Sequence, residues 1–374
     1  MNERVVILSN VSAGLINFRR ELLEELTSKY EVIVIASDNG GRTVIENLGC
    51  QFIDFTIERH GVNPIKEAKL VKNYISLIKK MRPFVVLTYT IKPNIYGGIA
   101  CRMLNIPFIP NVTGLGDAIE NPGLLSILSR MMYKVGLKNA HIVFFQNKSN
   151  YDFFRSYSIY KGSSYVLPGS GVNLKKHCFE SYPDPEDSLP LVLCVVGRIT
   201  KDKGILEIIE ASRNFDKEIL NIQLIGNCED DYLPMIREAE KKGVISYHGR
   251  QENVHEWLKK AHGILHASYH EGMSNVLLEA AACGRPILAS LIPGCMEIFD
   301  DEKSGIGFMP KSADEISKAI VKFINIPYEK KREMGINGRR KVEEQFDRKF
   351  VVNKYVEQID MIRSLNRRCP SLKK

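Results

Sequence analysis

The chain has 374 residues, of which 44% are hydrophobic and 26% charged, the composition of a soluble globular protein. At roughly 100–200 residues per domain this length calls for two domains, and no run approaches the roughly eighteen apolar residues that a membrane span needs. The formal net charge of +8 belongs wholly to the first half: residues 1–180 hold 22 Lys/Arg against 14 Asp/Glu, whereas residues 181–374 hold 30 of each.

That asymmetry is either ordinary solvated surface or the mark of a domain that meets an anionic partner, such as a lipid headgroup, a phosphate-bearing substrate or nucleic acid. The eight cysteines (Cys50, Cys101, Cys178, Cys194, Cys228, Cys283, Cys295 and Cys369) show no CxxC and no repeated spacing. They read as reduced, buried thiols and support neither a zinc site nor a disulfide framework.

In chain order, MNERVVILSNVSAG has only a short apolar run before Ser9 and Asn10, which fits a first strand better than a signal peptide and places the protein in the cytoplasm. A helix follows over 14–30, a strand over EVIVIAS, and a helix near Thr43 to Leu48. The series continues with a helix over 66–82, the strand PFVVLTYT, a helix in NIYGGIACRMLNI, and the strands PFIPNVTG and HIVFFQ. The second half repeats the scheme with LVLCVVG, a helix from Ile205 to Ser212, IQLIG, ISYHG, GILHAS, a helix after Met273, and PILAS. Apolar strands separated by helices predict an α/β chain of two Rossmann-like, doubly wound parallel-sheet domains, whose strand-end loops would face each other across a cleft. The aperiodic stretch SYPDPEDSLP over 181–190 reads as the linker, giving domains at 1–180 and 191–349, with a terminal helix at about 350–374 packing back on the first.

Two loops carry candidate chemistry. GRITKDKG, Gly197 to Gly204, follows the strand LVLCVV, so Arg198 and Lys203 stand at a strand's carboxyl end, either as an anion site or as solvated cations of a plain turn. YHEGMSNVLLEAAACGRPI, Tyr269 to Ile287, contains a loop glutamate, Glu271, then Ser274 as N-cap of a helix that closes at Gly284. The N–H groups of Ser274 to Leu277 make that helix start an anion site. Glu279 lies on the same, otherwise apolar helix and needs hydrogen-bond donors such as ribose hydroxyls.

EGMSNVLLE with AAACGRPILAS after it, GRITKDKG upstream and PGCMEIFDDEKSGIGFMP downstream resemble the retaining glycosyltransferases of family 4, which have the GT-B fold. SNVSAGLINFRREL, YTIKPNIYGGIACRMLNIPFI and VTGLGDA resemble the branch that builds bacterial capsule, O-antigen and related glycans on undecaprenyl carriers. The resemblance implies a sugar-nucleotide donor, UDP-sugar first, and a lipid-linked glycan acceptor. It implies that Arg198 and Lys203 grip the donor diphosphate, that Glu271 faces the sugar, that Gly272, Met273, Ser274 and Asn275 border sugar and phosphate, and that Glu279 holds the ribose. It further assigns Gly249 and Arg250 to the base and Gly14 to the diphosphate. Many family members carry a histidine where this chain reads Thr113, followed by Gly114, so a proton relay there is not implied.

The aspartate pairs Asp230/Asp231 and Asp300/Asp301 read as solvated loops or helix starts, so no essential metal or other cofactor is expected. His262, His266 and His270 recur every four residues, but Gly263 and a strand intervene, so they share no helical stripe and predict no metal site. No nucleic-acid motif accompanies the basic helices. A sugar-nucleotide 2-epimerase of the same fold, or a non-catalytic sugar-nucleotide-binding protein, are the other functions weighed.

GLLSILSRMMYKVGLK, residues 123–138, has a helical pattern with an apolar surface from Leu124, Leu125, Ile127, Leu128, Met131, Met132 and Leu137. Arg130, Lys134 and Lys138 form a basic stripe on it. Such a helix either packs its apolar side on the sheet or lies on the inner face of the plasma membrane with its cations toward anionic headgroups.

Overall fold

The computed structural model describes residues 3–57, 63–114, 123–184, 186 and 189–368. It divides into one unit of residues 1–170 with 349–374 and a second of residues 171–348.

In the first unit the chain runs through β1 (Arg4–Val11), α1 (Ser12–Thr27), β2 (Glu31–Ser37), α2 (Arg42–Asn47), β3 (Gln51–Asp54) and α3 (Pro64–Met81). It continues through β4 (Val85–Tyr89), a π-helical turn (Pro93–Gly97) leading into α4 (Gly98–Met103), β5 (Phe108–Val112), α5 (Leu124–Gly136), β6 (Val143–Phe145), α6 (Lys148–Ser156) and β7 (Ser164–Val166). The strands pair in parallel in the order β3-β2-β1-β4-β5-β6-β7. Period-two alternation divides β1 between two cores: Val5 and Ile7 pack with Leu22 and Leu26 of α1, while Val6 and Leu8 pack with Leu70, Tyr74 and Ile78 of α3. The start of α3 is written in its sequence, since Asn63 caps Ile65 N–H at 3.0 Å and Pro64 occupies the first helical position, where no N–H is needed. The terminal helix belongs to this unit: Val351, Tyr355, Ile359 and Ile362 join the α1 side of the core, and Asn111 Nδ2 donates to Tyr355 Oη at 2.7 Å.

In the second unit β8 (Leu191–Val196) leads through a short 3₁₀ turn (Lys201–Lys203) into α7 (Ile205–Ser212), β9 (Leu220–Ile225), α8 (Leu233–Glu240), β10 (Ile245–Tyr247) and α9 (Val254–Lys260). Then come β11 (Gly263–His266), α10 (Asn275–Ala282), β12 (Ile287–Ser290), β13 (Gly305–Phe308), α11 (Ala313–Ile324) and α12 (Tyr328–Gln345), before α13 (Arg348–Arg368) passes to the first unit. The order is β10-β9-β8-β11-β12-β13, again all parallel, with a core on each face. The two-domain α/β architecture predicted from the strand and helix pattern is therefore the architecture observed.

The division between units falls at Ser170/Gly171 rather than at 181–190. Val172 N–H donates to Phe346 O at 2.8 Å and Arg348 N–H to Val172 O at 3.0 Å, which ties residues 171–180 to the end of the second unit. Tyr182 is buried, with its hydroxyl on His262 O at 3.0 Å, and the fully buried Arg285 donates to the carbonyls of Glu180 and Ser181 at 2.6 and 2.5 Å. Proline and acidic residues mark a segment without periodicity; they do not mark which segment joins two cores.

Helix α5 packs one face on the core and leaves many of its apolar residues exposed. Ser126, Tyr133 and Gly136 are buried, Met132 packs against the core beside Tyr133, and a Cβ at Gly136 would stand 2.5 Å from the Cα of Ile95. Leu125, Ile127, Leu128 and Met131 are exposed, as are Lys134 and Lys138, while Leu137 is buried and Met132 half-buried. Arg130 is half-buried, its guanidinium 4.2 Å from the centre of the exposed Tyr157 ring. The side chain of Leu124 and the segment GDA after Leu115 lie outside the described residues.

Candidate active site

Strand order in the second sheet reverses between β8 and β11, and loops leaving the carboxyl ends at such a point diverge and leave room for a ligand. Lys203 ends the turn after β8, and Glu271 lies in the loop after β11. Tyr269 binds the two loops together: its N–H donates to Asp202 O at 2.9 Å and its hydroxyl to Glu207 Oε1 at 2.6 Å.

One oxygen, Glu271 Oε1, collects three donors: Lys203 Nζ at 2.6 Å, His266 Nε2 at 2.9 Å and Ser268 Oγ at 2.9 Å. Burial alone would push this carboxyl up, but His266 and then Lys203 outweigh it and hold the carboxyl at about 2. An ionised carboxylate only accepts, so the proton on that edge of the imidazole is on Nε2. Ser274 Oγ lies 3.2 Å from the same nitrogen.

Ser274 is the N-cap of α10, as its sequence position predicts, but its hydroxyl makes no cap bond because it faces His266. Its N–H is not free for an anion either; it donates to Gly294 O at 2.9 Å. Among the described residues no acceptor meets the next three N–H groups, of Asn275, Val276 and Leu277, so the unpaired N–H groups at the start of α10 begin one residue later than the sequence reading placed them. Gly294 has φ +84°, and a Cβ there would stand 2.8 Å from the carbonyl oxygens of both Glu271 and Gly272. Its N–H is fixed by Glu297 Oε2 at 2.6 Å. The loop of the PGCME sequence thus braces the backbone of the Glu271 loop.

Arg198 is largely exposed, with its guanidinium 3.8 Å from the Asp202 carboxylate. Gly249 and Arg250 follow β10, where Gly249 O accepts from Gly226 N–H at 2.8 Å and Arg250 is exposed. Glu279 sits one turn into α10, 3.8 Å from His177 Nε2, and burial pushes its carboxyl up to about 7 against the smaller opposing pull of Lys176 and Arg348. Met273 is buried in the core beneath the helix.

The second unit thus brings together Lys203, Glu271 and the start of α10, with Arg198 and Glu279 on the same elements. The remaining predicted residues belong to the first unit: Gly14 in the first turn of α1, Thr113 and Gly114 directly after β5, and Arg130, Lys134 and Lys138 on or just past α5. Sequence reasoning missed Ser268 and passed over His266 as part of a false metal stripe. The signal for His266 is its place as the last residue of β11, at the same sheet edge as Lys203. Asp300 and Asp301 hold structural partners, Lys341 at 2.8 Å and Gly307 N–H at 2.8 Å.

Residues 183–341 match the family Glycosyl transferases group 1, and residues 4–147 match the family Glycosyl transferase 4-like. The chain is 26% identical, over 96% of its length and 99% of the relative's, to the N,N'-diacetylbacillosaminyl-diphospho-undecaprenol alpha-1,3-N-acetylgalactosaminyltransferase of Campylobacter jejuni. It is 24% identical, over 94% of its length and 95% of the relative's, to the capsular polysaccharide biosynthesis glycosyltransferase CapM of Staphylococcus aureus. Among solved structures, HepE of Anabaena in complex with UDP and glucose superposes with a TM-score of 0.78 at 15% identity, covering 96% of this chain and 100% of that one.

The raised carboxyl of Glu279 sets a pH signature. Its value in the fold, about 7, exceeds the ordinary 4.5, so the folded chain holds a proton that the unfolded chain has lost between those values. The contribution is complete below about pH 4.5 and disappears as pH rises through 7. Glu279→Gln should therefore leave urea stability nearly unchanged at pH 5 and raise it by on the order of 2 kcal/mol at pH 8. Equal effects at the two pH values would show that the carboxyl titrates normally.

Proposed function

The chain belongs to the family 4-like glycosyltransferases of GT-B fold, and from that premise we propose that it moves a sugar from a UDP-sugar to a saccharide carried on undecaprenyl diphosphate, with retention of anomeric configuration. The observation that carries the proposal is the convergence of Lys203, His266 and Ser268 on Glu271 beside the open start of α10. Departure of the nucleotide leaves negative charge on the β-phosphate and oxocarbenium character on the sugar, so a site needs fixed donors for the first and a fixed carboxylate for the second.

In this reading Arg198 and the N–H groups of Asn275 to Leu277 take the diphosphate, to which the family resemblance also assigns Gly14. Lys203 stands between Glu271 and the phosphate, where its single charge is shared. Gly272 and Met273 border the sugar, Gly249 and Arg250 the base, and Glu279 the ribose. Thr113 is on the acceptor side; its hydroxyl is no base near neutral pH, so the acceptor's proton passes to the departing phosphate oxygen on the face from which the acceptor attacks. No metal or other cofactor takes part in these steps. The acceptor class is supported by the diphospho-undecaprenol substrate named in the Campylobacter relative, and the donor base by UDP in the HepE complex. Nucleic acid has no place in the reaction. With its exposed apolar face, α5 lies on the inner surface of the plasma membrane, and the protein is cytoplasmic and peripheral there.

The defining experiment supplies UDP-sugars and an undecaprenyl-diphosphate disaccharide and reads the new linkage by NMR. An α-linked donor should give an α-linked product; a β-linked product, or a trapped glycosyl-Glu271 adduct, would overturn the mechanism.

Arg198→Ala and Lys203→Ala should each lower kcat by roughly 10² to 10³, by analogy with loss of one oxyanion donor. Glu279→Ala should instead weaken UDP binding by about 1–3 kcal/mol, seen by calorimetry at pH 8, where the carboxylate is charged. Normal turnover in all three would mean that the donor binds elsewhere.

Each cation near an anionic surface contributes about 1 kcal/mol. Phosphatidylglycerol vesicles should therefore sediment the protein at low salt and release it at high salt. Combining Lys134→Glu and Lys138→Glu with Ile127→Ser and Met131→Ser should abolish sedimentation while UDP binding survives. Sedimentation equal to that of the parent would remove α5 from the membrane contact.

A further inference from the structure

Away from Glu271, on the far end of α10, a second set of reactive side chains meets. Cys178 and Glu180 lie on the segment before β8, and His255 lies in the first turn of α9. Cys178 Sγ is 3.4 Å from Glu180 Oε1 and 3.6 Å from His255 Nε2, and His255 Nε2 is 2.9 Å from Glu180 Oε1. A tetrahedral zinc ion, with Zn–S of about 2.3 Å and Zn–N and Zn–O of about 2.0–2.2 Å, requires its ligand atoms to be roughly 3.3–3.6 Å apart. The two edges at sulfur match such a tetrahedral face, and the His255–Glu180 edge at 2.9 Å is a hydrogen bond that opens by roughly 0.4 Å when the ion replaces its proton.

We propose that Cys178, Glu180 and His255 form a binding site for one borderline-soft divalent cation, zinc above all, with solvent in the fourth position.

Three features beyond the triangle support the site. The second ring nitrogen, His255 Nδ1, is 3.1 Å from Cys283 Sγ at the end of α10, an outer contact that fixes the imidazole with Nε2 aimed at the other two ligands. The ligand segment is anchored, because the buried Arg285 grips the carbonyls of Glu180 and Ser181 and Glu180 N–H donates to Cys283 O at 3.3 Å. Finally, Cys178 is exposed, which gives an ion a way in. One opposing charge is present: Lys259 Nζ is 3.5 Å from Glu180 Oε2, on the oxygen that does not face the site. The other soft cluster, His177 and Cys283 with the inner nitrogen of His255, is buried and serves as outer support.

Binding balances as follows. The thiol of Cys178 loses its proton to solvent and its sulfur donates an electron pair to the ion. The ring proton moves from His255 Nε2 to Nδ1, where it is donated to Cys283 Sγ, and Nε2 takes the ion. The net release is one proton per ion, so affinity falls as pH falls. The site goes beyond the glycosyl-transfer reading and does not rest on it: the ion is remote in role from the leaving phosphate, and no step of transfer needs it.

The test uses the full chain freed of metal by chelator and titrated with Zn²⁺ in buffers of different ionisation enthalpy, and separately with Co²⁺ in an absorption spectrometer. A single Zn²⁺ should bind with release of about one proton, and the Co²⁺ complex should show a thiolate-to-metal charge-transfer band with the intense visible bands of tetrahedral cobalt. Cys178→Ser should erase the charge-transfer band and weaken Zn²⁺ by roughly 10- to 100-fold or more, while Glu180→Gln weakens it with the band retained. Cys178→Ser is an exposed, near-isosteric change, so the variant folds and its melting temperature without metal should match the parent's. Zinc affinity equal in parent and Cys178→Ser, or an octahedral cobalt spectrum without a thiolate band, would overturn the site and leave an ordinary hydrogen-bonded cluster. None of these readouts needs donor, acceptor or turnover, so their failure is distinct from failure of the glycosyl-transfer proposal.

Discussion

A carboxylate largely withdrawn from water at the end of a parallel strand is stable only when donors surround it, and the second unit is arranged around that requirement at Glu271. Its donors come from separate segments: Lys203 from the loop after β8, His266 from the end of β11, and Ser268 from the bend that follows. The loop at Gly294 covers the backbone of the same residue so closely that a side chain would not fit. Strand order, loop spacing and a glycine therefore serve one electrostatic condition. The reversal of order between β8 and β11 supplies the space, because only there do neighbouring strands send their loops to opposite sides.

Helix α10 carries the consequences along its length. Its start presents N–H groups, its second turn holds Glu279, and its end brings Cys283 behind His255, with Arg285 just beyond. Arg285 has no carboxylate partner among the described residues; it is neutralised in effect by the carbonyls of Glu180, Ser181, Ala261 and Cys283. Guanidinium suits this task, since its planar fork serves several acceptors at once and it stays charged even when burial lowers its proton affinity. The same side chain thus fixes the end of the helix and the segment bearing Cys178 and Glu180.

The central strands were legible because each is a run of Val, Ile and Leu long enough to show itself: VVILS, EVIVIAS, LVLCVV and GILH lie in β1, β2, β8 and β11. The three-residue β7 and the glycine-containing β13 have too little apolar sequence to stand out. Lys203, Glu271 and the start of α10 were legible because strand, loop and helix lie close in sequence. His266 was not, since a four-residue spacing drew attention to a helical stripe that the strand forbids, and the relevant contact was instead to a loop five residues on. The cysteine cluster was invisible for a different reason. Cys178 and His255 lie 77 residues apart in sequence, and tertiary contacts such as the clamp of Arg285 and the Tyr182–His262 hydrogen bond bring their segments together. On α5 the pattern of apolar and basic residues was visible, but which face turned inward was decided by Gly136 and the backbone at Ile95, a packing fact that hydropathy does not contain.

The two glutamates near α10 show how position assigns chemistry to one functional group. Glu271 is drawn to about 2 because ammonium, imidazole and hydroxyl donors outweigh burial, whereas Glu279 rises to about 7 because burial on an apolar helix acts with little opposition from Lys176 and Arg348. A carboxylate already saturated with donors gains little from a further hydroxyl, but it keeps its negative charge across the whole physiological range, as a partner for a developing cation must. A carboxylate left short of donors behaves in the opposite way: it gains most from a ligand that brings two hydroxyls, and binding such a ligand draws its proton off. Constant charge at Glu271 and unmet hydrogen-bonding capacity at Glu279 are complementary properties, set by the surroundings of one and the same functional group.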